Sequence, residues 1–270
     1  MSGRPPVLVI AGSDCSGGAG IARDLTVLSD LGCTPLCAIT AVTAQTHGRV
    51  VSVHHVPPEV VRSQIRAALE SAPVGAIKIG MLGTAATVSA VADSLPAGGN
   101  IPIVLDPVLL SSSGGVLLDE AGRAQMRARL FPQTALLTPN LPEAASLCGT
   151  APAADREACV AQARSLLAMG VGAVLLKGGH AEGPEAVDLL LTADDSPQWL
   201  VSPRLAARRR GTGCALASAI AAGLAGGLSL EGACRAAKRY VLAMLSADTP
   251  APGITPDITA GSRHLNDPTL

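Results

Sequence analysis

The stretch VLVIAGSDCSGGAGIARDL, residues 7–25, decides the fold. Its first five residues form a continuous apolar run, which is typical of a strand buried on both faces of a sheet. A glycine-rich turn follows, and Ile21, Leu25 and Leu28 then recur at the i, i+4 and i+7 spacing of an amphipathic helix. A buried strand that passes through a glycine turn into a helix predicts a parallel sheet covered by helices.

The same alternation continues along the chain. Further strands are predicted at 36–42, 50–56, 76–79, 101–105, 135–138, 173–177 and 187–191. Helices are predicted between them, among them 84–95, 119–130, 155–170, 213–225 and 231–245. We therefore predict an α/β fold with one mainly parallel central sheet and helices on both faces. We expect a single domain over residues 1–270, with an irregular tail after about residue 249.

Composition excludes several classes of protein. The chain carries 20 Lys and Arg against 21 Asp and Glu, so it lacks the basic surface that attracts nucleic acid. One Phe, one Trp and one Tyr leave almost no surface on which bases could stack. The seven cysteines form no C-x-x-C pair, and the N-terminus does not read as a signal peptide. We therefore expect a reduced protein in the cytoplasm.

One segment has the length of a membrane span. Residues 211–230 carry no charge, but they are mostly Ala, Gly and Ser, which do not drive insertion into a bilayer. We expect a buried helix that approaches the sheet closely through its small side chains, and no membrane partner.

The residues that close the predicted strands are the candidates for chemistry, because ligands of parallel sheets bind beyond the carboxyl ends of the strands. These residues are Gln45, Met81, Asp106, Asn140, Glu143 and Lys177. Gln45 could read the edge of a heterocycle, although an ordinary loop glutamine is an equally good interpretation. Lys78 lies within an apolar strand and must find a partner or the sheet edge. Lys177 precedes two glycines at the end of a strand, where its ammonium group could bind a phosphate.

The strongest local signal is RRRGTGCALA, residues 208–217. Glycines at a helix start let several backbone N–H groups converge on one anion, and the helix dipole adds to the attraction. Three arginines before the turn increase the positive potential. We expect an anion site here, with the pKa of the Cys214 thiol lowered by the helix N-terminus.

These features favour phosphoryl transfer, which depends mainly on positioning and charge neutralisation. The chain has no Gly-Lys-Ser/Thr of a P-loop, and the dinucleotide fingerprint fails because Arg23 stands where its third glycine would be. Asp106 and the Asn140-x-x-Glu143 pair could accompany Mg²⁺, which binds carboxylates, water and nucleotide phosphates together. A simple capping turn would also explain Asn140 and Glu143.

Seven segments in order resemble the hydroxymethylpyrimidine/phosphomethylpyrimidine kinases of thiamine biosynthesis, within the ribokinase-like superfamily. They are AGSDCSGGAGIARDL (11–25), ITAVTAQ (39–45), KIGML (78–82), LDPV (105–108), TPNLPEA (138–144), LLKGGH (175–180) and GTGC (211–214). The resemblance covers nearly the whole chain, from about residue 7 to residue 246. It implies a ribokinase-like three-layer sandwich, a homodimer, and the use of ATP and Mg²⁺.

The resemblance also implies a role for each matching residue. The pyrimidine pocket would be lined by Gly12, Asp24, Gln45, Met81 and Val108. The catalytic residues would have three roles. Gly211, Thr212 and Gly213 would form the anion hole, and Cys214 would stand in the place of the general base. Lys177 would neutralise the charge of the transferred phosphate. The nucleotide would contact Asn140, Lys177 and Gly213, and the metal would be held by Asp106, Asn140 and Glu143, partly through water. From the residues alone, Asp24 could equally be a solvated acid in the first turn of its helix.

The reaction implied is phosphorylation of 4-amino-5-hydroxymethyl-2-methylpyrimidine by ATP, and then of its monophosphate to the diphosphate. The sequence departs from the family at Arg208-Arg209-Arg210, where Asn-Thr-His is usual, and at Ala22, Arg23, Thr26 and Ala215. We interpret the positive charge of these arginines as favouring the phosphorylated pyrimidine as the substrate of the enzyme. The alternatives are a pyridoxal or pyridoxine kinase, and a sensor that binds the pyrimidine without turnover.

Overall fold

The computed structural model describes residues 4–46, 48–111, 114–178, 183–205 and 210–247. Its strands form one central sheet. Its strands are β1 (Pro6–Asp14), β2 (Thr34–Gln45), β3 (Val50–His55), β4 (Ala76–Ile79), β5 (Ile103–Leu105), β6 (Leu136–Leu137), β7 (Ala173–Leu176), β8 (Glu185–Thr192) and β9 (Gln198–Pro203). Their order across the sheet is β3-β2-β1-β4-β5-β6-β7-β8-β9. The strands from β2 to β7 in this order pair in parallel, whereas β3, β8 and β9 are antiparallel to their neighbours. The predicted mainly parallel sheet is confirmed.

Helices cover both faces of this sheet, as predicted. They are α1 (Gly20–Asp30), α2 (Pro58–Ser71), α3 (Ala85–Ser94), α4 (Glu120–Gln125), α5 (Leu141–Cys148), α6 (Arg156–Ala168), α7 (Thr212–Ala225) and α8 (Leu230–Ala247). Successive side chains of β1 point to opposite faces, as the pleat requires. Leu8 and Ile10 join the core under α2–α6, while Val7, Val9 and Ala11 join the core under α1, α7 and α8.

The uncharged segment after Gly211 forms the buried helix α7. Its residues from Ala215 to Ala222 are all buried against the sheet. The approach is close because the side chains are small: a Cβ added at Gly75 would lie 3.1 Å from the Cβ of Ala225. Among the described residues, no helix is both long and apolar enough to cross a membrane.

Two elements differ from the sequence-based expectation. The helix predicted over 119–130 is α-helical only as α4, then widens to a π-helix at Met126–Leu130 and tightens to a 3₁₀ turn at Phe131–Gln133. This change of pitch places Met126, Leu130 and Phe131 in the core. Strand β9 was not predicted, because it is an edge strand in which Leu200 is buried and Val201 is exposed. The expected irregular tail lies outside the described residues.

The topology fixes where a ligand can bind. From β1 the chain moves to β2 and β3 on one side, and then returns to β4 on the other side of β1. This reversal opens a crevice between the carboxyl ends of β1 and β4, which is where open α/β sheets bind ligands. The ends of β5, β6 and β7 lie along the same edge of the sheet.

Candidate active site

A cleft of about 790 Å³ lies along the carboxyl ends of the parallel strands. Twelve of the thirteen residues predicted for the site line it: Gly12, Gln45, Met81, Asp106, Val108, Asn140, Glu143, Lys177, Gly211, Thr212, Gly213 and Cys214. These residues come from seven separate segments of the chain, so the cleft exists only in the folded protein. Its size suits a nucleotide together with a small substrate.

Asp24 is the exception, and the expectation that it lines the pyrimidine pocket is wrong for this structure. Its side chain is fully buried, and it is not part of the cleft wall. Its two carboxylate oxygens accept hydrogen bonds from Lys78 Nζ and Ser218 Oγ, each at 2.8 Å. It is therefore not a solvated acid either. Asp24 is therefore the partner that the buried strand residue Lys78 requires.

The turn at Gly211–Cys214 forms the positive end of α7. Gly211 takes a φ of +74°, a left-handed conformation that favours glycine. The first hydrogen bond of the helix runs from Ala215 N to Gly211 O, so the N–H groups of residues 212–214 precede the ladder and face out of the helix end. A Cβ added at Gly211 would lie 2.3 Å from Gly18 O, so this turn packs directly on the glycine loop after β1. The arrangement can bind an anion.

Lys177 brings a fixed positive charge to this turn. Its Nζ donates to Asp106 Oδ1 at 2.8 Å, and Thr138 donates to the same oxygen at 3.2 Å. Burial alone would raise the pKa of Asp106, but the charges of Lys177 and Lys78 outweigh it and hold that pKa below its usual range. A Cβ added at Gly213 would lie 3.2 Å from Lys177 Nζ. The ammonium and the helix N-terminus therefore face the same small volume.

Asn140 and Glu143 form a capping box at the start of α5. Asn140 Oδ1 accepts from the Glu143 N–H and Glu143 Oε2 accepts from the Asn140 N–H, both at 2.8 Å. The capping interpretation is thus correct, and both side chains also line the cleft. Burial raises the pKa of Glu143 to about 7, although the nearby charge of Lys177 acts in the opposite direction.

The expectation of a lowered thiol pKa at Cys214 is wrong. Burial raises the pKa of Cys214 to about 11, and the favourable charge of Lys78 does not compensate for it. The helix N-terminus lowers a thiol pKa most where the thiolate keeps some solvation. Here the cost of desolvating the thiolate is the larger effect.

The raised pKa predicts slow alkylation of Cys214. At pH 8 we expect iodoacetamide to modify the exposed Cys15 and Cys37 at least tenfold faster than Cys214, whose reactive thiolate is scarce below its pKa of about 11. The rate at Cys214 should keep rising as the pH increases from 8 to 10. Site-resolved mass spectrometry of a time course measures all three rates in one sample. Alkylation of Cys214 at pH 7 as fast as that of Cys15 would contradict the prediction.

Sequence reasoning did not find the partners of Arg210. Its guanidinium donates to Thr46 O at 2.8 Å and to Gln45 Oε1 at 3.1 Å, and it lies 3.8 Å from Asp14 Oδ2. Arg210 therefore joins the ends of β1 and β2 to the anion turn and fixes the orientation of the Gln45 amide. Arg208 and Arg209 lie outside the described residues.

Sequence reasoning also missed the pair of Asp188 and Lys238. Lys238 Nζ lies 2.5 Å from Asp188 Oδ2, and Asp188 Oδ1 accepts from the Gly178 N–H at 2.9 Å. Both side chains line the cleft next to the apolar α8 residues Val241 and Leu242. The sequence does contain an indication of this pair, because Lys238 is one of only three lysines and falls on the apolar face of a helix.

The fold and the cleft together define a ribokinase-like small-molecule kinase. The family model described as phosphomethylpyrimidine kinase matches residues 14–256, and the chain belongs to this family. It is 44% identical over 251 residues to a hydroxymethylpyrimidine/phosphomethylpyrimidine kinase of Streptomyces coelicolor, covering 92% of this chain and 91% of that one.

Two solved structures are similar as well. A phosphomethylpyrimidine kinase from Clostridium difficile aligns with a TM-score of 0.78 and 34% identity, covering 89% of this chain and 99% of that one. A Staphylococcus aureus pyridoxal kinase in complex with AMP-PCP and pyridoxal aligns with a TM-score of 0.81 and 30% identity, covering 90% of this chain and 88% of that one. Both likenesses extend over most of the fold.

Proposed function

We propose that this enzyme phosphorylates 4-amino-5-hydroxymethyl-2-methylpyrimidine with ATP, and then phosphorylates the monophosphate to the diphosphate, in thiamine biosynthesis. One observation carries the proposal: Lys177 Nζ and the N-terminal turn of α7 face one small volume within the cleft. Membership of the family supports the choice of substrates.

The substrate would occupy the side of the cleft beside β1, β2 and β4. Gly12, Gln45, Met81 and Val108 line this side. Because Arg210 donates to Gln45 Oε1, the amide NH₂ of Gln45 is the group that would donate to a ring nitrogen of the substrate. A Cβ added at Gly12 would lie 2.9 Å from the sulfur of Met81, so a glycine here lets the Met81 side chain pack closely against β1.

ATP would occupy the other side, with its phosphates directed at Lys177, Gly213 and Asn140. During transfer, the substrate hydroxyl oxygen bonds to the γ-phosphorus while the bond from that phosphorus to the β–γ bridging oxygen breaks, and ADP leaves. The N–H groups of the Gly211–Cys214 turn and the ammonium of Lys177 stabilise the charge on the phosphoryl oxygens.

Cys214 would then act less as a base than as a group that orients the substrate hydroxyl. Its thiol is neutral at pH 7, because its pKa is raised to about 11. In a loose transition state the hydroxyl proton leaves late, so it can pass to a phosphoryl oxygen and then to water. We infer that positioning and charge neutralisation supply most of the rate enhancement.

The donor set near the phosphates fits Mg²⁺ held mainly by nucleotide and water. Asn140 Oδ1 and Glu143 Oε2 each accept one backbone N–H and keep a second lone pair, and Asp106 lies across from them near Lys177. Among the described residues, no three His, Cys, Asp or Glu side chains cluster into a site for a metal alone. When bound, Mg²⁺ would neutralise phosphate charge, with Asn140, Glu143 and Asp106 holding its water ligands.

The test is ADP release by the purified protein with Mg²⁺-ATP and one acceptor at a time: the hydroxymethylpyrimidine, its monophosphate or pyridoxal. We expect turnover with both pyrimidines. Turnover with pyridoxal alone would favour the rival pyridoxal kinase. Pyrimidine binding with no turnover on any acceptor would identify a sensor and refute the proposal.

Arg210 would favour the phosphorylated pyrimidine. Its guanidinium lies at the substrate side of the cleft, where a positive charge attracts a dianionic monophosphate more than a neutral alcohol. We expect Arg210→Met to lower the kcat/KM ratio of monophosphate to alcohol about tenfold, a change of ~1.4 kcal/mol. Arg235→Met is the matched control, since Arg235 is an exposed arginine paired with Glu231 on α8. An unchanged ratio in Arg210→Met would refute this role.

We also propose a cytoplasmic homodimer. All seven cysteines are free, which suits a reducing compartment. Val42 and Val51 expose 49% and 60% of their surface on the antiparallel pair β2–β3 at the sheet edge. An exposed apolar edge of this kind favours pairing with a second copy. Sedimentation of the protein and of Val51→Lys tests the assembly.

A further inference from the structure

The buried pair of Lys78 and Asp24 has no part in the mechanism described so far. Lys78 Nζ and Asp24 Oδ2 are 2.8 Å apart, and both side chains are 0% exposed. Removing two charges from water is costly, and a well-packed apolar pair of the same size is often as stable. A role that depends on the charge would explain the presence of this pair.

The pair is oriented with its positive end toward the cleft. Lys78 belongs to the cleft wall, although its side chain has no solvent-exposed surface, whereas Asp24 does not reach the wall. The charge of Lys78 acts on two groups of the cleft wall, since it opposes the burial that raises the pKa of Cys214 and helps to hold the pKa of Asp106 below its usual range. Gly80 leaves room for the ammonium, since a Cβ there would lie 2.9 Å from Lys78 Nζ.

Asp24 also ties the pair to the anion turn. Its second oxygen accepts from Ser218 Oγ at 2.8 Å, and Ser218 lies one helical turn after Cys214 on α7. One carboxylate thus connects α1, β4 and α7 directly behind the Gly211–Cys214 turn. Burial alone would lower the pKa of Lys78, but the charge of Asp24 outweighs it and raises that pKa, so the ammonium stays charged.

We propose that Lys78 is a positioning residue that acts through electrostatics: from behind the cleft wall it stabilises negative charge gathered at the Gly211–Cys214 turn. Asp24 keeps Lys78 and α7 in place. The proposal rests on the proposed kinase activity and names a cation in addition to Lys177. Because the cleft wall excludes water around Lys78, its charge is poorly screened and acts strongly on a nearby anion.

The experiment compares Lys78→Met, Asp24→Asn and the double variant Lys78→Met/Asp24→Asn. Each single change leaves a buried charge or dipole without its partner, so we expect both single variants to melt at lower temperature than the double variant. The double variant should regain most of the lost Tm. Its kcat should nevertheless stay at least tenfold below that of the unaltered protein, with KM for the pyrimidine within threefold.

A second readout needs no turnover. Inorganic phosphate at millimolar concentration should raise the Tm of the unaltered protein by binding at the turn, and it should raise the Tm of the double variant less. If the unaltered protein phosphorylated no pyrimidine, the proposed function would fail, while the phosphate shift would still report on Lys78. A double variant with kcat within threefold of the unaltered protein and an equal phosphate shift would show that the pair is only structural.

Leu166→Ala is the control for loss of stability alone. Leu166 is fully buried in α6 and does not line the cleft. Its truncation should lower the Tm through a cavity while kcat stays unchanged.

Discussion

Gly213→Val is expected to lower kcat about 10³-fold or more while the protein still folds. A Cβ at this position would lie 3.2 Å from Lys177 Nζ and 3.7 Å from Asp106 Oδ2, so the branched side chain of valine would fill the volume in which we propose that the transferred phosphoryl group binds. The removal of even one donor to a developing oxyanion costs about 10²–10³ in kcat, and valine would block several donors at once. ADP release with saturating Mg²⁺-ATP measures the loss.

The fold should survive this change, because the φ of Gly213 is not in the left-handed region and the nearest atoms outside its own helix belong to the side chains of Lys177 and Asp106. Gly226→Val is the matched control: Gly226 is an exposed glycine just after the other end of α7. It should keep its kcat within twofold of the unaltered protein. A Gly213→Val protein that retained a tenth of the activity would place the phosphoryl group elsewhere in the cleft.

Lys177→Met is expected to damage both catalysis and stability. The change removes the ammonium that we propose faces the transferred phosphoryl group, and it leaves the Asp106 carboxylate, 5% exposed, without the cation 2.8 Å away. Breaking a buried pair on one side costs about 3–5 kcal/mol, so the melting temperature should fall clearly. We expect kcat to fall about 10²–10³-fold, as for loss of one strong donor.

The two effects can be separated by measuring kcat well below the melting temperature and unfolding by urea. Arg127→Met serves as the control, since Arg127 pairs with the largely exposed Glu120 on the surface, and its loss should leave the free energy of unfolding nearly unchanged. If Lys177→Met kept near-normal kcat with unaltered KM for ATP, Lys177 would have a structural role only.

The positions of the site residues could be predicted because they depend on local sequence and on one topological rule. An apolar run shows where a strand ends, and parallel strands bring those ends to one edge of the sheet. Asp106, Asn140 and Lys177 follow β5, β6 and β7 in this way. The prediction of a single domain over the whole chain stays a prediction.

What could not be predicted depends on contacts between distant segments. The burial of Asp24 follows from Lys78 and Ser218 meeting it from two other elements. The raised pKa of Cys214 follows from packing around the thiol, whereas its place at a helix start suggested the opposite direction. The sequence shows that Arg210 is charged, but its hydrogen bond to Gln45 depends on the folded chain, in which β2 lies beside the anion turn.

The contact between Gly18 and Gly211 has a consequence for how the enzyme is made. The loop after β1 is translated early, but the turn that packs on it is translated only after β9, the last strand of the described sheet. A chain that ended before Gly211 would contain β1 to β9 and Lys177, but it would lack the helix N-terminus that completes the proposed phosphate site. The ribosome therefore has to translate residues beyond β9 before this turn can form, and we expect a fragment released before Gly211 not to consume ATP.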